Sequence, residues 1–351
     1  MADEFHAHAP GRVNLIGEHT DYNGGMVLPA ALSVGIDVTL SPRDDTAIAI
    51  ASDGYHDPAI RDCQDDAIGD WADPCVGAIR AANKLGLLSG GATLSIQSTI
   101  PAGSGLSSSA ALIVAILKAA RGAANGAASD IEIAIAARQV ENNYMGVPCG
   151  IMDQMAVALA PQGQVMALDC RTLEYDLVDL PASYSFVVVH SGLTRELSDG
   201  RYGARKRECD AAKRHFGTED LCLLDQREVE TANLDDIPKR RALHCLTEQA
   251  RVKLAVDALR AGDMHALGEA MSQSHASMRD NFEVSLPAID ALVDDAISFG
   301  ATGARLTGGG FGGCIVACTA NDAREAWLER LLATHRGARF IDAVGGGAAA
   351  S

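Results

Sequence analysis

Aromatic residues are scarce, only 4% of the 351 residues. A core must therefore be built from Ala, Val, Ile and Leu, and the 48% hydrophobic content is enough for one. Positive charge is also short: 29 Lys and Arg stand against 46 Asp and Glu, a formal net charge of -17. A nucleic-acid backbone needs a basic face, so that class of partner is excluded, and an anionic membrane is disfavoured. A nucleotide ligand is not, because a small phosphate site needs only local donors. The nine cysteines are odd in number and form no CxxC pair, which fits a reducing compartment and a cytoplasmic location. Cys314 and Cys318, four apart in an apolar run, read as small buried residues. The longest apolar run, 110–117, is closed by Lys118 and is too short to span a bilayer. The opening MADEFHAHAPGR has neither a basic region nor an apolar one, so it is not read as a secretory signal.

What is present is length and a mixed pattern. At 351 residues the chain is about twice the usual single domain. A composition shift over 169–184 places the boundary between a domain at 1–178 and one at 179–351. Residues 35–40 and 46–51 read as strands joined by the turn 41–45. Over 92–100, Leu94, Ile96 and Ile100 alternate with polar residues, the pattern of a half-buried strand. A helix is predicted over 108–124, and a second starts at Ser129, where Glu132 completes a capping-box pattern, and runs to Met145. Strands are expected at 165–169, 186–190, 314–318 and 338–342 and a helix at 322–333; 201–300 reads as mostly helical, with stops at Gly262 and Gly300. Strands and helices in both halves give an α/β or α+β two-domain enzyme. The tail 345–351 reads as frayed.

Four segments carry chemistry. Residues 101–110, PAGSGLSSSA, lie between a predicted strand and a predicted helix. Glycines let backbone N–H groups approach a ligand, and a helix start adds free donors and a positive dipole end, so a polyphosphate fits. Serine hydroxyls can add donors or bind magnesium. An ordinary Gly/Ser turn with a serine cap remains the alternative, and no lysine follows the glycines as in a Walker A loop. A second glycine run, TGGGFGG at 307–313, formally matches GxGxxG, but an apolar strand follows it where a dinucleotide site requires a helix. It is either a structural turn or a close backbone approach. The segment GRVNLIGEHTDYNGG at 11–25 packs Arg, Glu, His, Asp, Tyr and Asn into a glycine-punctuated loop. Its carboxylates suit vicinal sugar hydroxyls. In VPCGIMDQ at 147–154, Asp153 stands in an apolar setting, where a helix cap is the plainer alternative.

Together these segments resemble the galactokinase family within the GHMP small-molecule kinases. GRVNLIGEHTDYNGG is similar to the family's sugar signature almost residue for residue, and PAGSGLSSSAA to the GHMP phosphate loop. PCGIMDQ, TGGGFGGC, RYGARKREC at 201–209 and MRDNFEVS at 278–285 also match, in order along the whole chain. Two departures, the short stretch before Pro10 and Gly309 where alanine is frequent, touch no proposed catalytic group. The resemblance implies a ribosomal-protein-S5-like N-terminal domain, a ferredoxin-like C-terminal domain and an active site in the cleft between them. It implies transfer of the γ-phosphate of ATP to O1 of galactose, with Mg²⁺ as cofactor; the sequence leaves the oligomeric state open, a monomer being expected. By motif position, Asp153 is the base and Arg12 stabilises charge beside it. Glu18, His19, Thr20, Asp21 and Tyr202 line the sugar pocket. Ala102, Gly103, Ser104, Gly105, Leu106, Ser107 and Ser108 hold the triphosphate, and Ser108 and Glu141 bind magnesium. Trp71 aligns with an aromatic near the adenine, though a core tryptophan explains it equally. Kinases for N-acetylgalactosamine or arabinose and a non-catalytic galactose sensor are the alternatives. The intact serine loop with Asp153 and Arg12 favours the enzyme. A uronate would be repelled by Glu18 and Asp21.

Overall fold

The computed structural model describes residues 3–124, 126, 128–193 and 200–345. In chain order come β1 (Phe5–Asn14), β2 (Met26–Val27), β3 (Pro29–Pro42), β4 (Ala47–Ser52), β5 (Ala59–Asp62), α1 (Asp73–Lys84) and β6 (Ala92–Ser98). Then follow α2 (Ser108–Ala123), α3 (Asp130–Gln139), a π-helical turn (Val140–Tyr144), α4 (Met152–Leu159), β7 (Gln164–Asp169) and β8 (Tyr175–Asp179). The remainder is β9 (Tyr184–His190), α5 (Arg201–Phe216), α6 (Gln226–Thr231), α7 (Asp236–Ala261), α8 (Met264–Asp280), α9 (Pro287–Ser298), β10 (Gly303–Thr307), β11 (Cys314–Ala320), α10 (Arg324–Thr334) and β12 (Arg339–Gly345).

The chain divides into two compact units. The first holds Met1–Arg12, Ser33–Ala102 and Ser107–Leu159. Its strands lie in the order β3-β6-β4-β5, with β6 antiparallel to β3 and parallel to β4. The short link 43–46 thus joins two strands that do not pair, because β6 lies between them. On β6 the alternation is as expected: Ala92, Leu94 and Ile96 are buried while Thr93, Ser95 and Gln97 are exposed. Helix α2 is apolar along most of its length and buries nine residues, among them Ile113, Val114, Ile116 and Leu117. Helix α3 begins at the expected capping box, where Ser129 and Glu132 satisfy each other's backbone N–H groups. It does not run on as an α-helix to Met145, because a π-helical turn interrupts it from Val140; such turns recur at functional sites.

The second unit holds Val13–Leu32, Gly103–Leu106 and Ala160–Ser351. Strands β9 to β12 form an antiparallel sheet in the order β10-β11-β9-β12, with α5 to α9 between β9 and β10 and α10 between β11 and β12. This is the β-α-β-β-α-β order of a ferredoxin-like sheet. Its core is aliphatic with few rings, as the composition requires: Val187, Val189, Leu246, Ile289, Leu292, Leu306 and Ile315 surround Phe282 and Trp327. Cys314 and Cys318 are buried in β11, and all nine cysteines are free thiols. Helix α7 stops at Gly262, which takes the left-handed conformation (φ +71°) that glycine adopts without strain. Of the tail, Gly345 ends β12, and 346–351 lie outside the described residues. Among the described residues no helix is long and apolar enough to cross a membrane.

Candidate active site

In the first unit, Arg12 comes from the end of β1 and Asp153 from the first turn of α4. Arg12 Nε donates to Asp153 Oδ1 at 2.9 Å and Nη2 donates to Oδ2 at 3.0 Å, a two-pronged guanidinium–carboxylate pair. The arginine side chain is 5% exposed and the carboxylate 30%. The guanidinium is thus desolvated while the acid keeps an open side. Asp153 is the second residue of α4 rather than the residue before it, and both its oxygens face Arg12, so a helix cap does not describe it. Two prongs of the arginine fork are spent on Asp153.

Glu141 lies in the π-helical turn and is 7% exposed. Gln154 Nε2, from α4, donates to its Oε2. Burial pushes the Glu141 pKa up; Ser109 and Gln154 pull it down, while the charge of Asp153 adds to the rise. Two carboxylates are therefore near enough to feel each other, and Glu141 faces neutral donors. Of the two serines at the start of α2, Ser109 lies near Glu141, with its buried Oγ making no hydrogen bond among the described residues, and Ser108 is exposed.

The loop before α2 has left-handed backbone at alternate residues, Gly103 (φ +67°), Gly105 (φ +74°) and Ser107 (φ +64°). Alternating backbone of this kind turns successive N–H groups toward one side, a nest for an anion. Ser107 makes no side-chain cap to the helix, and its buried Oγ has no hydrogen-bond partner among the described residues. No acidic residue stands in the first turn of α2. Ser104 and Leu106 are buried and anchor the loop; Ala102 and Gly103 are exposed.

In the second unit, the segment after β1 is held by a polar network. Glu18 is 2% exposed. Its Oε2 accepts from Asn14 Nδ2 at 2.6 Å and pairs with Arg305 Nη1 at 2.7 Å. Its Oε1 accepts from the Gly308 N–H at 2.7 Å and lies 3.2 Å from Thr307 Oγ1, whose one proton is nearer the Asn14 carbonyl at 2.9 Å. A carboxylate offers about four acceptor positions, so Oε1 retains capacity for one more hydroxyl. Burial pushes the Glu18 pKa up, against the opposing pull of Arg305 and the Gly308 N–H. The glycine run is thus the β10–β11 turn, and it also brings its backbone onto Glu18.

His19 has left-handed backbone (φ +64°) and stacks on Phe282 with centroids 4.4 Å apart. Its Nδ1 is 2.9 Å from Tyr22 Oη, and its ring lies 5.7 Å from that of Tyr202, on α5. Thr20 is fully buried with Oγ1 turned onto the Gly17 and Met26 carbonyls at 2.8 and 2.7 Å, so it braces the loop. Asp21 is half-buried. Trp71, in the first unit, stacks on the exposed Tyr55 at 4.2 Å with 12° between the rings, and so is not a core residue.

Sequence reasoning missed the groups behind this segment: Arg305 on β10, and His244, Glu248 and Gln249 on α7. His244 Nε2 donates to the Glu18 carbonyl at 3.1 Å while Nδ1 faces Ser277 Oγ at 2.9 Å. Gln249 Oε1 accepts from the Met26 N–H at 2.7 Å. One signal was available, an arginine inside the otherwise strand-like GARLT.

Comparison with known proteins gives the family. The galactokinase galactose-binding signature matches residues 1–42, the GHMP kinases N terminal domain residues 74–160 and the GHMP kinases C terminal domain residues 255–333. The chain is 40% identical over 336 residues to the galactokinase of Actinobacillus pleuropneumoniae, covering 93% of this chain and 87% of that one. It superposes on the crystal structure of Lactococcus lactis galactokinase complexed with galactose with a TM-score of 0.93 at 31% identity, covering 98% and 94% of the two chains. Methanococcus jannaschii mevalonate kinase shares the fold, with a TM-score of 0.74 at 18% identity and 98% of each chain covered. This chain therefore belongs to the galactokinase family of the GHMP kinases.

Proposed function

We propose that the protein transfers the γ-phosphate of ATP to the O1 hydroxyl of α-D-galactose, giving galactose 1-phosphate. The observation that carries the chemistry is the Arg12–Asp153 pair, a carboxylate with an open side fixed by a buried two-pronged arginine. Phosphoryl transfer has a loose transition state, so positioning and charge stabilisation supply most of the catalysis. Asp153 accepts a hydrogen bond from the sugar hydroxyl and takes its proton as the oxygen bonds to phosphorus. Arg12 keeps the carboxylate in one orientation and leaves positive charge beside the reacting oxygens. The loop 102–108 receives the triphosphate on its N–H groups and on the start of α2.

The family implies Mg²⁺, and the residues fit it. A magnesium ion takes hard oxygen ligands, one or two from carboxylates and the rest from phosphates and water. Glu141 supplies a buried carboxylate that feels the charge of a second one, Asp153, and the serines at the start of α2 supply hydroxyls, with Ser107 Oγ unpartnered among the described residues. Glu141 and Ser108 would hold the ion. When bound it offsets the negative charge of the phosphates.

On the sugar side, Glu18 offers a preset acceptor on Oε1, and Asp21 and Tyr202 offer further polar atoms. His19 with Phe282 gives an aromatic floor, and Thr20 shapes the loop. The same reading takes 1–178 and 179–351 as the two domains of a cytoplasmic monomer. The test is a sugar panel with ATP and Mg²⁺, scored by phosphate transfer. Galactose is expected to be the best substrate by kcat/KM; turnover of N-acetylgalactosamine or arabinose without galactose would overturn the assignment.

A further inference from the structure

Arg305 and Glu248 are fully buried charges of the second unit. Arg305 stands on β10, a strand whose five residues are all buried, and is itself 0% exposed. Among the described residues, its guanidinium meets the polar network behind the Asn14–Glu18 segment. Nε donates to Ser274 Oγ at 3.1 Å, Nη1 lies 2.7 Å from Glu18 Oε2 and 3.3 Å from the Asn14 carbonyl, and Nη2 faces Met278 Sδ at 2.8 Å. A second buried carboxylate balances it: Glu248 Oε1 is 3.8 Å from Nη2. Glu248 also accepts from the Gly17 N–H at 3.0 Å, from Ser274 Oγ at 2.6 Å and from Arg251 Nε at 2.7 Å.

Burying an arginine and two glutamates is costly, and apolar residues of the same volume would generally serve stability as well. The network must therefore be read by what it orients. It grips two consecutive residues: Arg305 and Gly308 hold the Glu18 carboxylate, and Glu248 holds the Gly17 backbone one residue earlier. A carboxylate carried on a loop would otherwise sample several rotamers, and a ligand would have to freeze it.

We propose that Arg305, coupled through Ser274 to Glu248, is a positioning residue for sugar recognition: it presets the Glu18 carboxylate so that its Oε1 acceptor faces the sugar hydroxyl without reorganisation. This rests on the reading of the protein as a galactose kinase with Glu18 as a sugar ligand. Lysine cannot replace Arg305, since a single ammonium cannot span Glu18, Asn14 and Ser274 together.

The test compares wild type with Arg305→Lys, Ser274→Ala, Glu18→Gln and the double variant Arg305→Lys/Glu18→Gln, measuring KM for galactose and for ATP and kcat. Arg305→Lys is expected to raise the galactose KM about 10-fold or more, with the ATP KM changed less than about 2-fold; Ser274→Ala, which leaves both charges in place, should raise the galactose KM by a smaller factor. In the Glu18→Gln background, Arg305→Lys should add little, because the group it acts through has gone. Equal rises in both KM values, or full additivity in the double variant, would overturn the proposal and leave Arg305 a structural residue. If Arg305→Lys does not fold, as judged by its thermal melt, Ser274→Ala decides: an unchanged galactose KM there overturns it. A wild type that does not phosphorylate galactose would instead defeat the functional reading itself.

Discussion

At Asp153, replacement by asparagine keeps the side-chain shape but puts an amide donor where Arg12 offers two donors of its own. The variant loses both the proton acceptor and the fixed orientation. General-base help is worth about 10²–10⁴ in rate, so kcat should fall by that factor while ATP still binds. Single-turnover transfer and ATP titration calorimetry measure the two separately; near-wild-type transfer would remove Asp153 from the chemistry. Glu141→Gln should shift the Mg²⁺ concentration needed for half-maximal activity upward, with the galactose KM little changed. An unmoved magnesium curve would take Glu141 out of the metal site. Arg12, Glu18 and Asp153 were legible because their neighbours in sequence announce them: GRVNLIGEHTDY and PCGIMDQ are contiguous signatures. Arg305, Glu248 and His244 were not. Each is more than 220 residues from Glu18 in the chain, and although the arginine inside GARLT hints at burial, nothing local says which distant group it meets.

Among the elements, those with a clear period or cap were legible, including β6, α2, the capped start of α3 and the end of α7. Strand β1 was not, because His6, His8, Pro10 and Gly11 break its apolar pattern. Helix α1, though Pro74 marks a favoured start, was hidden by Gly77 in its interior, where any β-carbon would sit 2.4 Å from Val140 Cγ1. Glycine has a comparable steric duty on α8. A β-carbon at Gly268 would fall 2.1 Å from the Thr302 carbonyl oxygen, so helix and strand start touch backbone to backbone. Gly268→Ala should gain a few tenths of a kcal/mol in helix propensity or more, up to about 1. The larger effect is the clash, since overpacking costs about 1–3 kcal/mol when the backbone must move. Net destabilisation is expected, readable as a lower urea midpoint. Because α8 carries Ser274 and Met278 against Arg305, the galactose KM should rise as well. A midpoint at or above wild type would show that α8 shifts freely.

For the molecule as a whole, two effects of acid oppose each other. The net charge of -17 repels itself, and protonation toward the pI near 4.9 relieves that repulsion. Most of this relief comes from exposed carboxylates, which titrate near pH 4. Buried histidines act earlier. Burial lowers the pKa of His244 to about 4 and also that of His275 to about 4, in the latter case against the pull of Asp290. Their unfolded value is about 6.5. Above that pH both states are neutral and neither group contributes a pH dependence. As pH falls from 6.5 toward 4, the unfolded chain takes up protons that the folded one refuses, so stability falls, by on the order of 1 kcal/mol per pH unit for each histidine. Glu248 adds a loss lower down. Burial alone would raise its pKa, but Arg251, His244 and Arg305 overcome this and bring it to about 2, so its contribution is present above pH 4.5 and fades as pH falls toward 2. Between pH 6.5 and 5 the histidines should dominate. The two tryptophans make the measurement local, since Trp71 belongs to the first unit and Trp327 is buried in the second with both histidines. In a Trp71→Phe background, urea unfolding followed by Trp327 fluorescence should show stability dropping steadily from pH 6.5 to 5. His244→Gln should flatten that slope by up to about one proton's worth, leaving the part due to His275 and to His190, whose pKa burial also lowers. A slope unchanged by His244→Gln would mean that the ring is already protonated in the folded state, and that the Glu18 carbonyl and Ser277 hold an imidazolium.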